Sequence, residues 1–293
     1  MIIVIKKPNL ISAVSAVSAV LIVAAVLRVA AQQAFTGRIS DSTCGASHQG
    51  HASSRSLSDR QCLLACVNAL AKYVLVDDQG RVTSIANQDA MGLPLYAGRP
   101  VKITGERRGD ALVVAKVEAI AAHLHLGHVM TNWRDTPGTR GFLPVALDQA
   151  RVAIQHAALA ARGTTLDEVR MHAGQVLNAI DPAIESGGAG YGVKQAVAAA
   201  QQHLEFAARA EGATPNITAP AVQVASWLTE TTRAADEAIA AAQGIRAATD
   251  AADAAKRAVD LEKLAERIGE RLAQAHAQMN RILEAEHLLG APR

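Results

Sequence analysis

The chain has 293 residues, with 29 Lys and Arg against 27 Asp and Glu and a formal net charge of +2. Three of the basic groups (Lys6, Lys7 and Arg28) and no acid fall in residues 1–31, so the rest of the chain is close to neutral, which argues against the concentrated basic face of a nucleic-acid binder. Its eight aromatic residues (two Trp, three Tyr, three Phe) are too few for a platform that stacks bases or sugars.

Residues 1–31 have the form of a signal peptide. Lys6 and Lys7 precede an apolar stretch from Leu10 to Leu27, and Val29-Ala30-Ala31 offers the small residues of a cleavage site after Ala31. Ser12, Ser15 and Ser18 favour cleavage, whereas the length of the stretch leaves an uncleaved anchor as the alternative. The expected location is therefore the periplasm or the exterior, with no membrane span after cleavage.

From Phe35 to Ile120 the chain reads as short strands and turns. Tyr73–Val76 and Val82–Ile85 are β-type runs joined by Asp77-Asp78-Gln79-Gly80, a hairpin signal. Val101–Gly105 and Leu112–Val117 flank a turn at Arg108-Gly109-Asp110. Between the first residues and these hairpins, Leu57 to Lys72 reads as a helix with Cys62, Cys66 and Ala69 or Leu70 along one side. A small barrel with one helix fits this length. The segments TGRISDSTCG (36–45), His48, the CxxxC helix, KYVLVDDQGRV (72–82) and AGRPVKITGERRGDALVVAKVEAI (97–120) resemble a family of small exported bacterial domains of unknown function. The resemblance implies an OB-like barrel and an exported location, and implies no activity.

After Ile120 the texture changes. Residues 144–289 are rich in Ala, Leu, Gln, Glu and Arg, which favour helix. Helices are expected from Pro144 to Arg162, from a Thr165 cap to Asp181-Pro182, from Val193 to Ala210, from Pro220 to Gln243 and from Asp253 to Leu289. The last should bury Val259, Leu264, Ile268, Leu272, Ala275, Met279 and Ile282. The expected fold is thus α+β and multidomain: an OB-like barrel over 35–120, a His-rich linker over 121–143, and an Ala-rich antiparallel helical bundle over 144–289.

Two groups of residues carry chemistry. In the first half, Cys44 and His48 are four apart, as are Cys62 and Cys66, and three cysteines cannot all pair within one exported chain. A disulfide from Cys44 to Cys62 or Cys66 is the expected arrangement, because Cys62 and Cys66 lie one helical turn apart and a bridge between them would strain the helix. The alternative is a tetrahedral Cys3His metal site from Cys44, His48, Cys62 and Cys66, with His51 in reserve. A third reading makes the spare thiol a redox group.

In the second half, the junction HLHLGHVM (123–130) is followed by His156, His172 and His203, one on each of three helices. His156 is spaced from Val152 and Leu159, and His172 from Val169 and Val176, as on apolar stripes. These two are expected as principal ligands of a metal or haem site, joined by His125, His128 and His203. Copper, zinc or non-covalent haem b suits such a set. His276 and His287 are expected to be solvated.

The competing reading treats the histidines as structural, satisfied by neighbours. The chain is then an envelope interaction or scaffold module whose partner is an envelope protein or a second copy. The sequence has no CxxCH, HExxH, P-loop or GxSxG motif, and Gly188-Ala189-Gly190-Tyr191-Gly192 follows no strand, so a nucleotide-dependent enzyme or hydrolase is not expected.

Overall fold

A computed structural model describes residues 32–48 and 57–288. The N-terminal segment 1–31 and His51 lie outside the described residues. The fold is of the α+β class. Five strands, β1 (Gln33–Asp41), β2 (Tyr73–Val76), β3 (Val82–Ile85), β4 (Pro100–Arg108) and β5 (Ala111–Ala119), form one mixed sheet with a single helix, α1 (Asp59–Asn68), set between β1 and β2 in sequence. Strand β1 pairs antiparallel with both β2 and β4, β2 with β3, and β4 with β5, while β3 and β5 run parallel, so the pairing closes on itself.

The hairpin signals account for β2–β3 and β4–β5. The register of the second hairpin has an irregularity that the sequence pattern contains. Gly105 pairs with Val114 but Thr104 pairs with Lys116, which leaves Ala115 as an extra residue in β5. The inward set therefore runs Leu112, Val114, Val117, with one step of three. These residues join Ile39, Leu63, Leu75, Ile85, Val101 and Ile103 in one core cluster.

Helix α1 is fixed at its start by a capping box, in which the Ser58 hydroxyl accepts from the Gln61 amide and the Gln61 side chain accepts from the Ser58 amide. It stops at Asn68, sooner than the sequence suggests. Leu70 adopts a left-handed φ of 75° and is exposed, and the Ala71 amide donates back to the Cys66 carbonyl at 3.0 Å. This is the usual closure of a helix end, and it removes Leu70 from the side that carries Cys62 and Cys66.

Beyond the sheet the chain is helical: α2 (Ala121–Met130), α3 (Phe142–Ala161), α4 (Leu166–Ile180), α5 (Val193–Arg209), α6 (Pro215–Ala247) and α7 (Ala251–Ala285). The stretch expected as a linker is thus half helix. Its Ala122, Leu126, Val129 and Met130 are buried in the core shared by all six helices. Helix α6 begins at Pro215, where a missing N–H costs nothing, and tolerates Pro220 in its second turn. On α7 the buried stripe is Leu261, Ala265, Ile268, Leu272, Ala275, Met279 and Ile282, whereas Val259 is exposed. Among the described residues no helix is long and apolar enough to cross a membrane.

Alanine dominates the buried positions of the helices, so their backbones approach closely. Helix α3 packs against α4, α5 and α7, and α2 packs against α5. The tightest approach involves Gly141, the N-cap of α3, where a Cβ would stand 2.6 Å from the Thr131 amide nitrogen and 2.8 Å from the Met130 Cα. The end of α2 and the start of α3 therefore touch through backbone alone. Gly141→Ala is expected to destabilise the protein by about 1–3 kcal/mol through overpacking. The effect should appear as a lower urea midpoint at unchanged slope, and an unaltered midpoint would show that the junction has room for a methyl group.

Candidate metal centres

Among the described residues, the structure gathers chemistry-bearing side chains into four places. In the first, α2 presents His125 and His128 one turn apart, and α5, packed against it, presents His203. The Nδ1 atom of His203 lies 3.1 Å from Nδ1 of His125 and 3.2 Å from Nδ1 of His128. One ligand nitrogen from each ring falls within 4.8 Å of the other two. A single ring nitrogen has one N–H or one lone pair, so His203 cannot form a good hydrogen bond to both neighbours at once. Three nitrogens bound at 2.0–2.1 Å to a tetrahedral zinc would be separated by roughly 3.3–3.4 Å. The observed spacing is within a few tenths of an ångström of that edge.

Three of the chain's eight aromatic residues line this half-buried cluster. His203 has Trp133, Phe142 and Phe206 at centroid distances of 5.1, 5.2 and 5.7 Å, and Trp133 lies edge-on to His128 at 4.7 Å. Burial lowers the pKa of all three imidazoles, and for His203 burial and the two neighbouring rings push it down to about 4. The rings are thus neutral near pH 7, the form that ligates a metal.

The second place holds the expected principal ligands, and here the expectation of one five-histidine site fails. His156 and His172 do meet, Nδ1 to Nδ1 at 3.1 Å, where α3 packs on α4. They form a separate pair. Phe142, at the start of α3, touches His203, and His156 is fourteen residues further along the same helix, or about 21 Å at 1.5 Å per residue. Val152 and Leu159, which define the stripe on which His156 was placed, are exposed, so that stripe faces away from the core. His276 is half-buried against Asn280 rather than solvated, while His287 is exposed.

The third place is the thiol cluster. Cys44 lies in the turn after β1, and its sulfur is 4.0 Å from that of Cys62 and 3.8 Å from that of Cys66 on α1. None of the three is bonded to another, so the expected disulfide is not formed in the structure. Asp41, Cys44 and His48 form an overlapping group, again within 4.8 Å of one another. Burial, and then the charge of Asp41, raises the Cys44 pKa, and burial raises that of Cys66.

The fourth was not anticipated. His123 Nε2 and Glu286 Oε2 are 2.7 Å apart and both residues are buried, and the Thr214 hydroxyl donates to Glu286 Oε1. Hydrogen bonds from His123 and Thr214 hold the Glu286 carboxylate below its ordinary pKa although burial opposes this. His123 and Glu286 are 163 residues apart, and no local pattern links them.

No family model matches this sequence, and no curated protein or solved structure matches it either.

A pH dependence follows from the histidine cluster. An unfolded imidazole titrates near 6.5, whereas His203 in the fold titrates near about 4. As pH falls the unfolded chain takes the proton first, so the stability due to this site is present above about 6.5 and lost as pH falls toward 4. The urea midpoint of metal-free protein should decline across that window, and His203→Gln should flatten the decline. An equally steep profile in that variant would place the titration elsewhere.

Proposed function

We propose that the protein is an exported metal-binding protein that holds one transition-metal ion at His125, His128 and His203. The observation that carries this reading is the convergence of three Nδ1 atoms, two of them 3.1 and 3.2 Å from the third, beside the rings of Trp133 and Phe142. Imidazole nitrogen suits copper or zinc, and three protein ligands leave a further position for water or an anion. Haem b fits less well, because nitrogens this close leave room between them for one ion and not for a macrocycle.

Export is supported by Lys6 and Lys7, the apolar stretch that follows them, and Val29-Ala30-Ala31. We read the closed sheet as an OB-like barrel and the six helices as an antiparallel bundle whose α2–α5 face carries the ion. The aromatic rings shield the nitrogens, and the neutral state of the imidazoles spares the site the cost of removing protons at neutral pH.

The test is titration of the purified protein, its three thiols first blocked with iodoacetamide, with Co2+ and Zn2+ in competition with a chelator of known affinity. The histidine site should take one equivalent and give cobalt ligand-field bands without a sulfur-to-cobalt charge-transfer band. His203→Ala should weaken this binding by about 100-fold or more, or ~2.7 kcal/mol. The double variant His156→Ala, His172→Ala should leave it within about threefold, or ~0.7 kcal/mol. Undiminished binding in His203→Ala would overturn the assignment and favour a scaffold role with structural histidines.

A further inference from the structure

We infer that Cys44, Cys62 and Cys66, together with the carboxylate of Asp41, form a second and chemically distinct site for Zn2+, which fastens the turn after β1 to helix α1. The inference is independent of the histidine site.

The first observation is the spacing of the sulfurs. Zinc–thiolate bonds of about 2.3 Å imply a tetrahedral edge of about 3.8 Å between sulfurs. Cys44 is 3.8 and 4.0 Å from its two neighbours, and all three sulfurs fall within 4.8 Å of one another. Cys44 favours neither partner, whereas a disulfide would use one of them and strand the other. A metal uses all three.

The second observation concerns Asp41, the last residue of β1, which is fully buried. Its Oδ1 accepts the amide hydrogens of Thr43 and Cys44, each at 2.9 Å. Its Oδ2 is buried and accepts no hydrogen bond among the described residues. An ionised carboxylate oxygen in that position is costly unless a cation faces it. Asp41 lies within 4.8 Å of Cys44 in a group that overlaps the thiol cluster at that residue alone, so the carboxylate would close on a cation held by the three sulfurs from the Cys44 side.

His48 plays a different part. Its Nδ1 is 3.8 Å from Asp41 Oδ2, too long for a hydrogen bond, and its Nε2 is 3.2 Å from the Ser40 hydroxyl. It lies beside the carboxylate and makes no hydrogen bond to it. Arg38 donates to the Ala46 carbonyl in the same turn at 2.8 Å and faces Asp59 at 4.0 Å, which ties this turn to the start of α1. Each thiol gives up its proton to solvent as the ion binds. Thiolate sulfur with one carboxylate oxygen suits Zn2+ better than Cu(I), which favours sulfur alone.

The experiment uses the full chain, reduced and metal-free. Zn2+ should slow alkylation of the three thiols by iodoacetamide at least about tenfold, with release on addition of chelator, and Co2+ should give a sulfur-to-cobalt charge-transfer band. That band should persist in His203→Ala, which separates this site from the histidine site. Asp41→Asn should weaken zinc binding here by about tenfold or more, and His48→Gln by less. Circular dichroism of each variant checks that the sheet remains folded. Alkylation at the same rate with and without Zn2+, or an intact disulfide with a single reactive thiol in zinc-treated protein, would overturn the site. A larger loss in His48→Gln than in Asp41→Asn would overturn the choice of Asp41 as ligand.

Discussion

A buried imidazole–carboxylate pair, His123 with Glu286, joins the first turn of α2 to the residue that follows α7. At its other end α2 is held by the backbone approach of Gly141 to Met130 and Thr131. Between these anchors Leu126 and Val129 sit in the helical core. A ten-residue helix would be marginal by itself, so its phase is set by what it is fastened to. That phase decides whether His125 and His128 face His203. Breaking the pair at Glu286 would leave a buried polar group without a partner, and the penalty would be paid in the placement of the cluster as well as in stability.

The helical core supplies the second condition. Because Ala146, Ala150, Ala153, Ala157 and Ala160 line α3, its neighbours lie near its axis, and side chains on adjacent helices meet at short range. This closeness lets imidazoles on different helices come within 3.2 Å of each other in two separate places. Bulkier core residues would have moved the same histidines apart. The sheet half meets the same need by another route, with a turn folded over α1 and held by Asp41 amide contacts.

Much of this organisation is legible in the sequence. The Asp77–Gly80 and Arg108–Asp110 turns mark both hairpins, and the caps at Thr165 and the break at Asp181-Pro182 bracket α4. All five candidate histidines and all three cysteines do fall into clusters. What the pattern could not give is phase and partnership. His156 was spaced from Val152 and Leu159 as if on a buried stripe, yet an Ala-rich helix has so many small residues that its buried face is defined by Ala153, Ala157 and Ala160 instead. Leu70 left its helix because the chain had to turn into β2. Residues 121–130 resembled a linker because polar histidines interrupt a run that nonetheless buries Ala122, Leu126, Val129 and Met130. His123 and Glu286 belong to opposite ends of the helical region, a relation that only the folded chain creates.

The position of Trp133 gives the molecule an optical handle. Its indole ring lies 4.7 Å from His128 and 5.1 Å from His203, while the other tryptophan, Trp227, is on α6. Indole emission responds to the charge and occupancy of rings in contact with it. One of the chain's two tryptophans therefore sits beside the histidine nitrogens, and the protein carries its own fluorescent gauge of what happens there.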